Sequence, residues 1–444
     1  MCEQEQGAQE GVAELEWRHR ALSREIGQRK ARGEPVDELL EQARSTSAQI
    51  TALSRGGETA AQDPGPATSE TTTEVLTSAG AVVALRDEWR ELLGRCPPGS
   101  FYLTWEWMAS WYETYADEGA VRCLTVRDGS GRLLGVVPLF LSRRRDSKLS
   151  RRQIGFASTY GPSWGSSLEL SSPPEAQATV AAAAAGYLQT IRPEWDCVKL
   201  LRVPGDAQSV WPLIRALVAE DWRVSVRPYM RCSLMALPDD PGQVLANLAS
   251  AKLRKHCRSG VRRLQADYPH REWLLCADAE QLGLQLERYM ALNVERRADR
   301  ARTSTFAQTK HRLCFQRAMQ RFWEAGWLRL LRLRIEGEAV AFQPYLVYRQ
   351  NVYLLTPAWA PSYAHYEVGH QLFVQALSLA IQEGARHADF LIGEERYKTR
   401  YTRATRQLLD IVVWPDGRQM ARSLVGELWE RAVDHAARLA RRRY

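Results

Sequence analysis

The chain has 444 residues, which excludes a single small domain and makes two or three units the expectation. Apolar residues make up 45% and charged residues 25%, as in a soluble protein with a real core, and no apolar run approaches the length of a membrane span. The net charge of +8 favours anionic partners, whether nucleic acid, a phosphorylated cofactor or an anionic membrane surface.

Residues 12–30 and 36–54 read as two helices around the turn "ARGEP". Val36, Leu39, Ala43, Thr46, Ile50 and Leu53 recur at alternating three and four, a coiled-coil seam, and Leu15, Leu22 and Ile26 offer the partner stripe. Residues 1–54 are therefore expected as an antiparallel helical hairpin, roughly 30 Å long from the rise per residue. Residues 55–74 are rich in Gly, Pro, Ser and Thr and read as a flexible linker.

From residue 75 helices and strands alternate. Helices are expected at 80–94 and 104–117, then a hairpin turning at Asp128-Gly129. Helices near 173–191 and 208–220 flank strands near 196–202 and 222–235. A second block repeats the plan: helices at 278–298 and 308–325, a three-strand meander turning at Glu336-Gly337, a helix at 367–383, and the strands "HADFLI" and "LLDIVVW". The repetition predicts duplication of one α/β module, in halves spanning 75–235 and 236–418. Residues 419–444 form a basic amphipathic helix. The eight cysteines (Cys2, Cys96, Cys123, Cys197, Cys232, Cys257, Cys276 and Cys314) stand singly, without metal-like spacing. With no signal-peptide core, they are expected as buried thiols of a cytoplasmic protein.

The stretches "GEAVAFQPYLVYRQNVYLL" and "VGHQLFVQALSLAIQEGARHADFLIGEERYKTRYT", with "FYLTWEWMASWYETYA" and "GVVPLFL" earlier, resemble the BioF2-like (CelD-like) acyltransferases of the GNAT superfamily, relatives of the Fem ligases. The resemblance covers roughly residues 80–415, and Asp389-Phe390-Leu391…Gly393…Tyr397-Lys398 is its most specific part. It implies an α/β (α+β) fold of tandem GNAT-like domains. The family usually shows Pro-Gly where this chain has Val368-Gly369. There is also no Arg/Gln-x-x-Gly-x-Gly/Ala loop of the kind acetyl-CoA enzymes present to pyrophosphate at a helix N-terminus.

Residues 14–53 look like the tRNA-binding hairpin of seryl-tRNA synthetase, chiefly through "LSREIG" and "KARGE". Arg18, Arg20, Arg24, Arg29, Lys30 and Arg32 face only three Glu between residues 16 and 34, suiting an RNA backbone. No ATP-binding synthetase domain follows, so the arm is expected to hold tRNA that is already charged. A second basic element, "KLRKHCRSGVRRL", places Leu253, Cys257, Val261 and Leu264 on one stripe. It turns Lys252, Arg254, Lys255, Arg258, Arg262 and Arg263 outward, as an acceptor-stem or CoA-diphosphate cradle or simply a solvated face.

The expected function is transfer of an aminoacyl group, seryl favoured, from charged tRNA to a small-molecule or peptide amine or hydroxylamine, probed against an acyl-CoA-dependent alternative in which the arm dimerises. No bound cofactor, metal, DNA or membrane is expected. Asp389, at a strand end, is the candidate general base; its alternative is to cap the following turn or pair with Lys398. Lys398 is the candidate oxyanion holder, Tyr397 a hydrogen-bond donor and His370 a proton shuttle. Tyr363, Tyr366 and Glu394 are candidates for the substrate pocket, each with packing or a solvated charge as its alternative.

Overall fold

The computed structural model describes residues 71–144, 151–159, 165–298 and 303–423. The hairpin arm, most of the linker and most of the C-terminal helix lie outside them. The described residues form one compact unit.

The first half runs β1 (Thr72–Leu76), α1 (Ala79–Ala84), α2 (Arg86–Arg95), α3 (Trp105–Tyr115), β2 (Gly119–Arg127), β3 (Leu133–Arg144), β4 (Arg151–Phe156), α4 (Gln177–Thr190), β5 (Cys197–Pro204), α5 (Val210–Ala219) and β6 (Arg223–Ala236). A single-turn helix, α6 (Val244–Asn247), and a long one, α7 (Ala251–Asp267), lead to the second half. It comprises β7 (Glu272–Leu275), α8 (Ala279–Ala298), α9 (Thr309–Glu324), β8 (Leu328–Ile335), β9 (Glu338–Tyr348), β10 (Asn351–Leu354), β11 (Ala358–Trp359), α10 (Val368–Gln382), β12 (His387–Ile392) and β13 (Thr405–Trp414).

Local chemistry explains the boundaries. Ser78, Thr104 and Ser250 accept backbone N–H groups at the starts of α1, α3 and α7. The second meander turns at Glu336 and Gly337, both left-handed at φ 53° and 86°. The helix expected at 80–94 is two helices, broken at Leu85. Thr72–Glu74, assigned above to the linker, belong to β1, which pairs with β2. Its polar, exposed residues carry no alternation by which to recognise a strand.

The strands form one sheet in the order β1-β2-β3-β4-β5-β13-β6-β12-β10-β9-β8-β7, with β11 on β9. Only β4 with β5 and β10 with β12 pair in parallel among the described strands. The halves match in detail. Pro138 of β3 and Pro344 of β9 sit mid-strand, and their carbonyls accept the N–H of Ala157 and Leu355, just past β4 and β10. β5 and β12 each bulge, at left-handed Arg202 (φ 60°) and Leu391 (φ 59°). The last strands are exchanged: β13, from the second half, covers β5, and β6, from the first, covers β12.

Helices α3 and α9 lock the halves, with Arg321 bidentate on Glu113 at 2.8 and 3.0 Å. Trp89, Trp111, Trp195 and Trp414 are among the largest fully buried side chains. The seven described cysteines are free, six of them buried. Among the described residues no helix is long and apolar enough to cross a membrane.

Helix α7 buries Leu253, Cys257, Gly260 and Leu264. Val261, expected on that stripe, is exposed, and the glycine one residue earlier takes its place. The reason is a close crossing, since a Cβ on Gly260 would lie 2.3 Å from the Tyr366 carbonyl oxygen. Gly260→Ala is expected to cost about 1–3 kcal/mol, seen as a lower urea midpoint at unchanged slope.

Candidate active site

The parallel pair β10 and β12 makes a fork. Their pairing ends at Tyr353↔Asp389, while β12 runs on to Ile392. Beyond that point two neighbouring cavities open, of about 160 and 420 Å³. Arg297, Thr356, Glu395 and Tyr397 line both. The smaller is walled by Phe390, Leu391 and Lys398, the larger by Trp359, the start of α10 and His370.

Asp389 lies at the root of this fork. It is 8% exposed, and its Oδ1 accepts the N–H of Leu391 at 2.7 Å. That bond holds Leu391 left-handed and breaks the register against β6 between Asp389 and Ile392. The bulge turns the carbonyls of Leu391 and Ile392 toward Lys398, whose Nζ donates to them at 3.0 and 2.9 Å. Lys398 pairs with Glu395 at 3.0 Å and is itself 3% exposed. The Asp389 carboxylate thus caps a turn, the alternative considered above, while Lys398 takes Glu395 as its recorded ion-pair partner. Burial raises the Asp389 carboxyl above its ordinary value, against the Leu391 N–H and the cations Arg406 and Lys398.

Glu367 begins α10 in a left-handed conformation (φ 58°) without a side-chain cap. Its carboxylate lies 3.5 Å from His256 Nδ1 and 4.0 Å from His370 Nε2. The first turn is closed further by Trp359, whose ring would lie 2.5 Å from a Cβ on Gly369. The Trp359 ring also carries Arg296 at 3.5 Å from its centroid. Arg297 beside it makes no ion pair or hydrogen bond among the described residues. A free guanidinium and an ammonium therefore face cavities whose carboxylates are Glu367 and Glu395.

His370 Nδ1 lies 2.5 Å from the Tyr401 hydroxyl, itself buried. Burial pushes His370 below its ordinary imidazole value, with Glu367 opposing. A folded-state value below the unfolded one adds stability that is present above the unfolded pKa and lost as pH falls through the folded one. Replacing His370 by Gln is expected to flatten the fall in Tm from about pH 6.5 downward, the unperturbed imidazole pKa, as scanning calorimetry across that range would read.

Tyr397, the candidate hydrogen-bond donor, stacks on Phe373 at 5.8 Å and lines both cavities. Tyr363 and Tyr366 instead pack on Tyr268, and the Tyr366 hydroxyl donates to Asp267 of α7 at 2.7 Å. Glu394 is exposed, whereas its neighbour Glu395 lines both cavities and pairs with Lys398. On α7, Lys252, Lys255, Arg258 and Arg262 are exposed without ion pairs among the described residues. Arg254 and Arg263 turn back to the carbonyls of Leu248 and His365. Arg18, Arg20, Arg24, Arg29, Lys30 and Arg32 lie outside the described residues. Sequence reasoning missed Arg297, Glu367 and Tyr401. The first sits in an ordinary-looking helix end, and the other two become notable only through the turn that faces them with His370.

Residues 251–399 match the family model of the acetyltransferase (GNAT) domain. No curated protein matches the chain. Among solved structures, FemX is 10% identical, with 79% of this chain and 99% of that one covered at a TM-score of 0.53. A conserved protein of unknown function from Bacteroides thetaiotaomicron is 11% identical, covering 75% and 97% at 0.48. L-PGS from Bacillus licheniformis is 10% identical, covering 78% and 96% at 0.45. The domain match makes this chain an acyltransferase, and the FemX likeness extends the shared fold across both halves.

Proposed function

We propose that this acyltransferase takes its acyl group from aminoacyl-tRNA, seryl-tRNA favoured, and passes it to an amine or hydroxylamine-type acceptor. The observation that carries this reading is the start of α10. A helix N-terminus is where a cofactor diphosphate finds free N–H groups and positive potential. Here Glu367 sets a carboxylate at that place and Trp359 packs onto Gly369. Both oppose CoA, whereas an aminoacyl ester on a terminal ribose asks for no diphosphate cradle.

In the transfer, the acceptor nitrogen attacks the ester carbonyl, forming a C–N bond and breaking the C–O bond to the ribose. Lys398 Nζ, exchanging Glu395 for the carbonyl oxygen, stabilises the oxyanion. Neutral His370 takes the proton lost by the nitrogen, with Tyr401 fixing the ring, and returns it to the ribose oxygen, which leaves as a hydroxyl. Arg297 meets the backbone phosphate next to the ribose. Asp389 acts through the bulge that aims Lys398. The exposed cations of α7 and the N-terminal arm supply non-specific phosphate contacts.

The test is a salt titration of purified serine isoacceptor and non-serine tRNAs against the full chain and against Arg24→Glu/Arg29→Glu/Arg32→Glu. The expected result is a linear fall of log K with log salt, a preference for the serine isoacceptor, and weaker, shallower binding by the triple variant. Equal binding by both proteins, together with turnover of acetyl-CoA, would replace this reading by the acyl-CoA-dependent one.

A further inference from the structure

The first half holds a cavity of its own, of about 150 Å³, room for on the order of ten waters. It occupies the place that the duplication assigns to the fork in the second half. The cavities at the fork are reached by the end of α8, the turn at Thr305–Ala307, the start of α10 and the end of β12. The first-half cavity is reached by the end of α2, the turn at Phe101–Leu103, the start of α4 and the end of β5. The chemistry of the walls differs. Where the fork presents Arg297 and Lys398, this cavity presents Glu169, Asp206 and a set of serines beside Arg349 and Arg406.

Two features mark it as built for a ligand. Ser171 and Ser172, each 2% exposed, line the cavity, and their buried hydroxyls have no hydrogen-bond partner among the described residues. A buried hydroxyl without a partner is destabilising, and a bound molecule that pairs with it removes that cost. Glu169 is the second feature. Its Oε2 accepts from the Ser209 hydroxyl at 2.9 Å, and no cation pairs with it among the described residues. Three other charges stand in the wall: Arg406 lies 3.4 Å from Asp206, and Arg349 donates to the carbonyls of Leu93, Cys96 and Pro97. Burial raises the Glu169 carboxyl above its ordinary value, as an unpaired carboxylate in such a wall requires.

We propose that this cavity binds a small hydroxylated primary amine, with its ammonium on Glu169 and its hydroxyls on Ser171 and Ser172. The site is separate from the transfer centre and does not depend on which donor that centre uses. Arg349 and Tyr348, also in its wall, end β9 just before β10, so an occupant bears on the hairpin that leads into the fork.

The probe is 2-amino-1,3-propanediol, titrated calorimetrically into the full chain beside glycerol, which replaces the ammonium by a hydroxyl. Saturable binding is expected, at least tenfold tighter than glycerol. Binding should weaken at least tenfold in Glu169→Gln, which keeps the Ser209 bond, and several-fold in Ser171→Ala/Ser172→Ala. No saturable binding, equal binding of glycerol, or an unchanged constant in Glu169→Gln would each overturn the proposal.

Discussion

Replacing Lys398 by Met is expected to lower kcat about 10²- to 10³-fold, the usual loss when one donor to a developing oxyanion is removed. KM should move little, because the ammonium interacts most strongly with charge present only in the transition state. Stability should fall as well. The carbonyls of Leu391 and Ile392 each lose a charged donor, and an unsatisfied buried acceptor costs about 1–3 kcal/mol. A folding control is therefore part of the experiment, with kcat measured well below the variant's Tm. Transfer at the wild-type rate by a folded Lys398→Met protein would reduce Lys398 to a clamp on the bulge.

Asp389 gives the second large effect, and its two substitutions part company. Asp389→Ala removes the acceptor of the Leu391 N–H, so the bulge relaxes, Lys398 loses its aim, and kcat and stability drop together. Asp389→Asn keeps an oxygen in the same place and is expected to retain activity within a few-fold. A general base would not tolerate that change, since an amide takes up no proton. The pH dependence of stability gives an independent readout. Burial raises the folded-state value of Asp389, so its contribution is complete below the unfolded carboxylate pKa and is lost as pH rises through the folded one. Asn has no such charge to bury. Its stability relative to wild type should grow as pH rises out of the ordinary carboxylate range, measured as urea midpoints at a series of pH values.

Much of the architecture was legible because it rests on local rules. Asp128-Gly129 and Glu336-Gly337 mark their turns, and the helices of both halves follow the apolar period closely. The strands that escaped notice are of two kinds. β1 and β7 are short outer strands with exposed or half-exposed residues, and β4 opens with consecutive arginines that read as a surface loop. The site was legible as a segment but less so as roles. The stretch from Asp389 to Lys398 does carry the bulge and the ammonium. Yet that Asp389 faces its own backbone, and that Lys398 chooses Glu395, follow from a left-handed Leu391 that no residue preference announces. Tyr363 and Tyr366 allow both a pocket and a packing reading in the sequence, and the structure shows their packing: both rings meet Tyr268, and the Tyr366 hydroxyl bonds Asp267 of α7.

The exchange of β6 and β13 sets an order on the birth of the molecule. β5 leaves the ribosome long before its neighbour β13 exists, since the chain between Pro204 and Thr405 must be made first. Until then its apolar edge, "CVKLLRVP", stands uncovered, the kind of edge that invites intermolecular pairing. Neither half is complete until Thr405–Trp414 has been made, and a stop codon just before Thr405 would strand the first half as surely as the second. Cutting the gene after Ala236 should yield insoluble fragments when each is made alone and a working protein when both are made in one cell.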